Sequence, residues 1–201
     1  MTDYVDGYCE RVAPGLWGEP LNSLSNLAFL LAAVLVWRLA AGDRVGRLLA
    51  ALIGLIFAAS TAFHLLATRW SAVADSAAIL VFVLVYAVLF PRVFFGWRHA
   101  WLAAPALLGL TAVTALLGGG LYLSAVIGLF TFAAILGFAR DVYWTHYVVA
   151  GAVFALSLSL RTLDRDVCDY VPAGTHFLWH LLNGVVLYLV SRTLVARRVR
   201  P

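Results

Sequence analysis

From Ala100 to Ala139 the chain runs for forty residues without an Asp, Glu, Lys or Arg. A soluble fold would have to hide that run completely, whereas a bilayer core takes it up at about 20 apolar residues per helix. The run therefore reads as two membrane spans, divided at Gly118-Gly119-Gly120. Charges, glycines and prolines cut the remainder in the same way. A first span covers Ser23 to Leu39 and a second Gly46 to Ala67, either side of the turn GDRVGR. A third covers Ala72 to Phe90 and stops before Pro91, a sixth Trp144 to Leu160, and a seventh Ala173 to Val195. The composition agrees with a bilayer as solvent: 64% hydrophobic and 12% charged, with a mean hydropathy of +0.95. The expected fold is all-α, a single polytopic bundle of seven transmembrane helices over residues 1–201. An acidic segment (1–22) precedes the bundle (23–195). That segment carries Asp3, Asp6, Glu10 and Glu19 and has no apolar centre, so it is not expected to act as a signal peptide.

Seven crossings put the termini on opposite sides, and arginine decides which is which. The chain has no lysine, so its net charge of +4 is carried by arginine. With the C-terminus in the cytoplasm, the inner side collects Arg38, Arg44, Arg47, Arg92, Arg98, Arg140, Arg192, Arg197, Arg198 and Arg200. Only Arg11, Arg69, Arg161 and Arg165 fall outside. This flanking pattern sets orientation and is unlike a phosphate-binding face, so no nucleic-acid partner is expected. Trp17, Trp70, Trp97, Trp101 and Trp144 read as belt anchors, and His99 and His146 as interfacial residues. Cys9 and Cys168 both fall outside, where a disulfide persists; two unrelated small residues are the alternative.

Ionisable groups inside the apolar spans are costly, and each is a functional candidate. Ser60 and His64 lie near the outer end of the second span, Asp75 near the outer start of the third, and His176 and His180 in the first two turns of the seventh. Three separate spans thus bring polar groups to one depth. Histidines four apart share a helix face, so His176 and His180 can grip one ion, with His64 as a third nitrogen. Three histidines and an open position make a catalytic zinc arrangement, and zinc generates hydroxide near neutral pH. Asp75 is then the candidate to hold that water and carry its proton, and Ser60 to donate to a developing oxyanion. Plainer roles exist for each: helix–helix hydrogen bonds for the histidines, a counter-ion to Arg69 for Asp75, and a bond to a backbone carbonyl for Ser60.

In their order and spacing, EPLNSLSN (Glu19 to Asn26), Ser60-x-x-x-His64, Asp75, RTLD (Arg161 to Asp164) and HFLWH (His176 to His180) resemble the alkaline ceramidase family. That family belongs to a wider group of seven-helix membrane hydrolases that includes the adiponectin receptors. The resemblance runs from about Asp6 to Gly184. It implies an intramembrane zinc amidase that splits ceramide into a sphingoid base and a fatty acid. Carried over by position, His64, His176 and His180 are the zinc ligands, Asp75 the water-binding acid and Ser60 the oxyanion-side hydroxyl. Cys9 and Cys168 match a disulfide tying the N-terminal segment to the last outer loop. Glu10, Glu19 and Asp6 match acids that bind calcium. The segment departs from the family's Asp-Trp-Cys-Glu by reading Asp6-Gly7-Tyr8-Cys9-Glu10, with one more residue and no Trp.

The expected function is thus hydrolysis of ceramide or another N-acyl lipid drawn from the bilayer, with no protein partner implied. A seven-helix metal-binding receptor or interaction module without turnover is the alternative. The all-arginine, Ala- and Leu-rich usage suggests a GC-rich bacterium. The expected location is then the inner membrane, with the site toward the periplasm.

Overall fold

A computed structural model describes residues 3–199; Arg200, counted above on the inner side, lies outside the described residues. Those residues are organised as helices joined by short turns. Helices α1 (Pro20–Ser25) and α2 (Leu27–Ala40) are separated by a break at Asn26 and form one apolar run of 21 residues. Then come α3 (Arg44–Leu66), α4 (Arg69–Phe95), α5 (Ala103–Leu116), α6 (Gly120–Phe138), α7 (Trp144–Leu163) and α8 (His176–Val199). Among the described residues, six runs are long and apolar enough to cross a membrane. The fourth expected span is a helix too, but Ala100–Leu116, a 3-10 turn leading into α5, is shorter than the rest. At 1.5 Å per residue it reaches about 25 Å, under the roughly 30 Å of a hydrocarbon core. The Gly118–Gly120 division between α5 and α6 is as expected.

Pro91 does not end its helix as the sequence reading expected. α4 continues through it to Phe95 and stops at Gly96, whose φ of 63° is the left-handed cap geometry. The proline removes one backbone donor, but only a single turn follows, and the exposed carbonyls are used. Gly96 N–H donates to Arg92 O (3.1 Å) and Trp97 N–H to Pro91 O (3.3 Å).

Helix α8 is the central element. Its most apolar stretch is 61% buried against 28–44% for the other spans, and it touches α1, α2, α3, α4 and α7. It lies close against α2 because Gly184 has no side chain: a Cβ there would sit 2.9 Å from Ala28 Cβ and 3.0 Å from its carbonyl. Around α8 the core is built from Phe29, Ile53, Phe82, Tyr86, Phe90, Tyr147, Phe154 and Leu194. Leu, Val and Ile on the outward faces remain exposed, as lipid-facing positions require. Trp17, Trp70, Trp97, Trp101 and Trp144 are exposed as well.

Asp164 fastens one end of this bundle. Its Oδ1 accepts from the N–H groups of Thr175 (2.7 Å) and His176 (2.8 Å), and its Oδ2 from Cys9 N–H (3.1 Å). A carboxylate at the start of α8 satisfies orphan donors and complements the helix dipole. Gly174, at φ 63°, must be glycine here, because a Cβ would lie 2.1 Å from Asp164 Oδ1. The Cys9–Cys168 disulfide closes the same corner, with Cα atoms 5.3 Å apart across a separation of 159 residues. Asp164→Ala orphans three donors at once, and a loss of about 2–4 kcal/mol is expected in thermal unfolding of the detergent-solubilised protein. At the far end, Asp43 caps α3 through Gly46 N–H (2.8 Å) and receives Arg198 of α8. The Arg198 hydrogen bonds hold its carboxyl below the usual carboxylate range.

Candidate metal centre

His64 stands in the last turn of α3, while His176 opens α8 and His180 follows one turn on. All three are buried, at 0–2% exposed. One ring nitrogen from each lies within 4.8 Å of the others, so this group could hold a metal ion. His64 Nε2 and His180 Nε2 are 3.2 Å apart. Two Zn–N bonds of about 2.05 Å at a tetrahedral angle hold their nitrogens roughly 3.3 Å apart.

The outer contacts decide how these rings are protonated. His64 Nδ1 lies 3.0 Å from Glu19 Oε2, and a carboxylate accepts, so we assign the proton to Nδ1. Ser25 Oγ donates to Asn22 O (2.9 Å) and lies 2.7 Å from His180 Nδ1. It therefore accepts from that Nδ1–H. Both rings spend their one N–H outward, which leaves two bare Nε2 lone pairs facing each other. That is unfavourable without a cation between them, and it is the outer-partner arrangement that metal-binding histidines use. His176 Nδ1 is buried with no hydrogen-bond partner, and the Tyr8 ring stacks on this imidazole at 3.8 Å.

The residues around the triad come from the N-terminal segment. Val5 N–H donates to Ala67 O, Gly15 N–H to Leu65 O and Arg69 N–H to Asp3 O, so the segment lies across the turn between α3 and α4. From it Arg11, only 4% exposed, reaches in to pair with Glu19. Its guanidinium also donates to Val5 O (2.7 Å) and stands over the Phe63 ring (4.6 Å). Burial pushes the Glu19 carboxyl up, and Arg11 opposes that shift.

Ser60 is buried one turn before His64. Asp75, in the second turn of α4, is partly buried, with Oδ1 enclosed and without a hydrogen-bond partner. Ser60 and Arg161 are its polar neighbours. It is not the counter-ion of Arg69, which pairs with Asp3 at 3.6 Å. Arg161 stacks on Tyr122 (4.6 Å) and Trp179 (5.6 Å).

The acids offered for calcium do not come together. Glu10 is consumed as a helix cap, accepting from Leu21 N–H (2.7 Å) and Asn22 N–H (2.8 Å). Glu19 is engaged by Arg11, His64 and Asn22, and the backbone O of Asp6 accepts from Arg165 (3.4 Å). Among the described residues the histidines form the one group of three metal-ligating side chains. Glu10, Glu19 and Asp6 form no such group among the described residues.

Beneath the triad an apolar cavity of about 80 Å³ opens between the helices. Its upper lining includes Phe29, Ile56, Ile79 and Asn183. Each lies one helical turn further in than Ser25, Ser60, Asp75 and His180 respectively, so the cavity begins directly under the polar site.

No protein-family model matches the chain, and no curated protein matches it either.

Proposed function

We propose that the chain is an intramembrane zinc hydrolase that cleaves the amide bond of ceramide or a related N-acyl lipid. The carrying observation is the 3.2 Å approach of Nε2 of His64 and Nε2 of His180, whose Nδ1 atoms face Glu19 and Ser25, with His176 as a third buried imidazole. The resemblance to alkaline ceramidases supports the reaction class, and an apolar cavity under a polar site suits a lipid with one scissile polar bond. In this reading the seven apolar runs all cross the bilayer. The N-terminus lies outside and the triad near the non-cytoplasmic face, which in a bacterium is the periplasmic side of the inner membrane.

His64, His176 and His180 would hold the zinc, and bound there it supplies a Lewis acid and a water acidified to near neutral pH. The remaining chemistry belongs to the chain. Asp75 takes the proton from the attacking water and delivers it to the amide nitrogen as the C–N bond breaks. The water oxygen ends on the acyl carbon, and a fatty acid and an amine leave. Ser60 donates a hydrogen bond to the oxyanion that forms on the carbonyl. The N-terminal segment, carrying Tyr8 and Arg11, covers the site and excludes water from that side.

Asp75→Asn separates catalysis from binding. Hydrolysis of a panel of N-acyl lipids, read as released fatty acid by mass spectrometry, is expected to fall by about 10²–10⁴ while zinc content stays the same. If wild-type protein retains zinc and releases fatty acid from no member of the panel, the metal serves a receptor or interaction module instead.

A further inference from the structure

We propose that the cavity is a ruler for the acyl chain, with Tyr86, held from behind by Tyr147, as its floor, set to accept chains of about 12 carbons. This rests on the hydrolase reading for what the cavity holds, but its geometry stands independently. The Tyr86 hydroxyl donates to Val190 O (2.9 Å) and meets the Tyr147 hydroxyl at 2.6 Å. Tyr86, Phe132 and Val190 line the cavity's far end. Below them Phe90 stacks on Phe132 at 3.8 Å, packs edge-on to Tyr147 at 5.2 Å, and contacts Phe94 at 4.8 Å. Rings of α4, α6 and α7, tied to α8 through Val190 O, therefore form a layer under the cavity, and the two hydroxyls lock the uppermost pair in place.

Helix geometry sets the depth. Val190 is ten residues beyond His180 and Tyr86 eleven beyond Asp75, which places the floor about 15 Å from the reacting carbonyl. A staggered hydrocarbon chain with bonds of about 1.52 Å and angles of about 111° advances roughly 1.25 Å per carbon. About 12 carbons therefore reach the tyrosines, and longer chains must fold back against a closed aromatic layer. The wall also has a built-in gap. Gly128 lines the cavity, and a Cβ built there meets nothing within 4 Å. A Cβ added at this position enters open space, so a larger side chain there can narrow the cavity.

Saturated free fatty acids from about 8 to about 20 carbons serve as the probe, with stabilisation of the purified full chain against thermal unfolding as the readout. In wild type the stabilisation should peak near 12 carbons, with affinity falling at least about tenfold by 16. Gly128→Leu should move the peak about four carbons shorter, and Tyr86→Ala about four longer. Equal stabilisation by all lengths, or a peak that moves in neither folded variant, overturns the ruler. Should Tyr86→Ala fail to fold, Gly128→Leu decides alone. Parallel hydrolysis of N-acyl lipids separates the two claims. A length-dependent peak without cleavage upholds the ruler and defeats the hydrolase, whereas cleavage indifferent to chain length does the reverse.

Discussion

His180→Ala is expected to lower zinc affinity by roughly a thousandfold and to remove hydrolysis with it. This imidazole is held from behind by a Ser25 hydroxyl whose own proton is committed to Asn22 O. Its removal leaves His64 and His176, too few nitrogens for a tetrahedral site with one open position. The fold should survive, because the confrontation between the two Nε2 lone pairs ends when the His180 ring is removed. Titration with a competing chelator reads the affinity, and thermal unfolding of the zinc-free protein reads the fold. Stability of the zinc-free variant near or above that of the zinc-free wild type would mark the triad as a site built for function. A loss above about 3 kcal/mol in zinc-free protein would instead make His180 a packing residue.

Glu19→Ala should have the largest effect on stability. The side chain is buried between Arg11 and His64, and its removal leaves a guanidinium enclosed without a carboxylate and His64 Nδ1–H without an acceptor. Breaking a buried pair from one side costs about 3–5 kcal/mol, and losing the outer partner of a metal-binding histidine lowers metal affinity about 10–100-fold. The two losses can be parted. Arg11→Met combined with Glu19→Gln removes both charges, so most of the stability should return. Zinc affinity should stay low, since an amide is a poorer acceptor for the imidazole N–H. If the double variant recovers affinity as well, Glu19 acts only through the charge it shares with Arg11.

The triad was legible because membrane solvation makes polar residues conspicuous. His64, His176, His180, Asp75 and Ser60 stand out against apolar spans, and counting turns from each span's end already put them at one depth. Cys9 and Cys168 were legible for a related reason, once orientation placed both on the same side. What supports the triad was not. Glu19 and Arg11 lie in a segment whose acids look like an exposed tail, and only tertiary packing over the turn between α3 and α4 carries Arg11 inside. A local signal did exist: Glu19 directly precedes Pro20 at the first position of α1, which fixes the carboxylate at a helix mouth, beside the bundle. Ser25 lies inside EPLNSLSN but gave no signal of its role, since its contact with His180 depends on how closely α8 approaches α2 at Gly184 and Ala28. Pro91 misled because a proline stops a helix by default, whereas here one more turn suffices to reach the Gly96 cap.

Metal analysis of the purified, unmutated chain is the direct test of the central claim that three imidazoles share one ion. Elemental analysis combined with X-ray absorption at the zinc edge should find one zinc per chain, bound to nitrogen at about 2.0–2.1 Å with no sulfur in the first sphere. A chain that is folded and disulfide-bonded, yet carries no stoichiometric metal and takes up none from excess zinc, would contradict it.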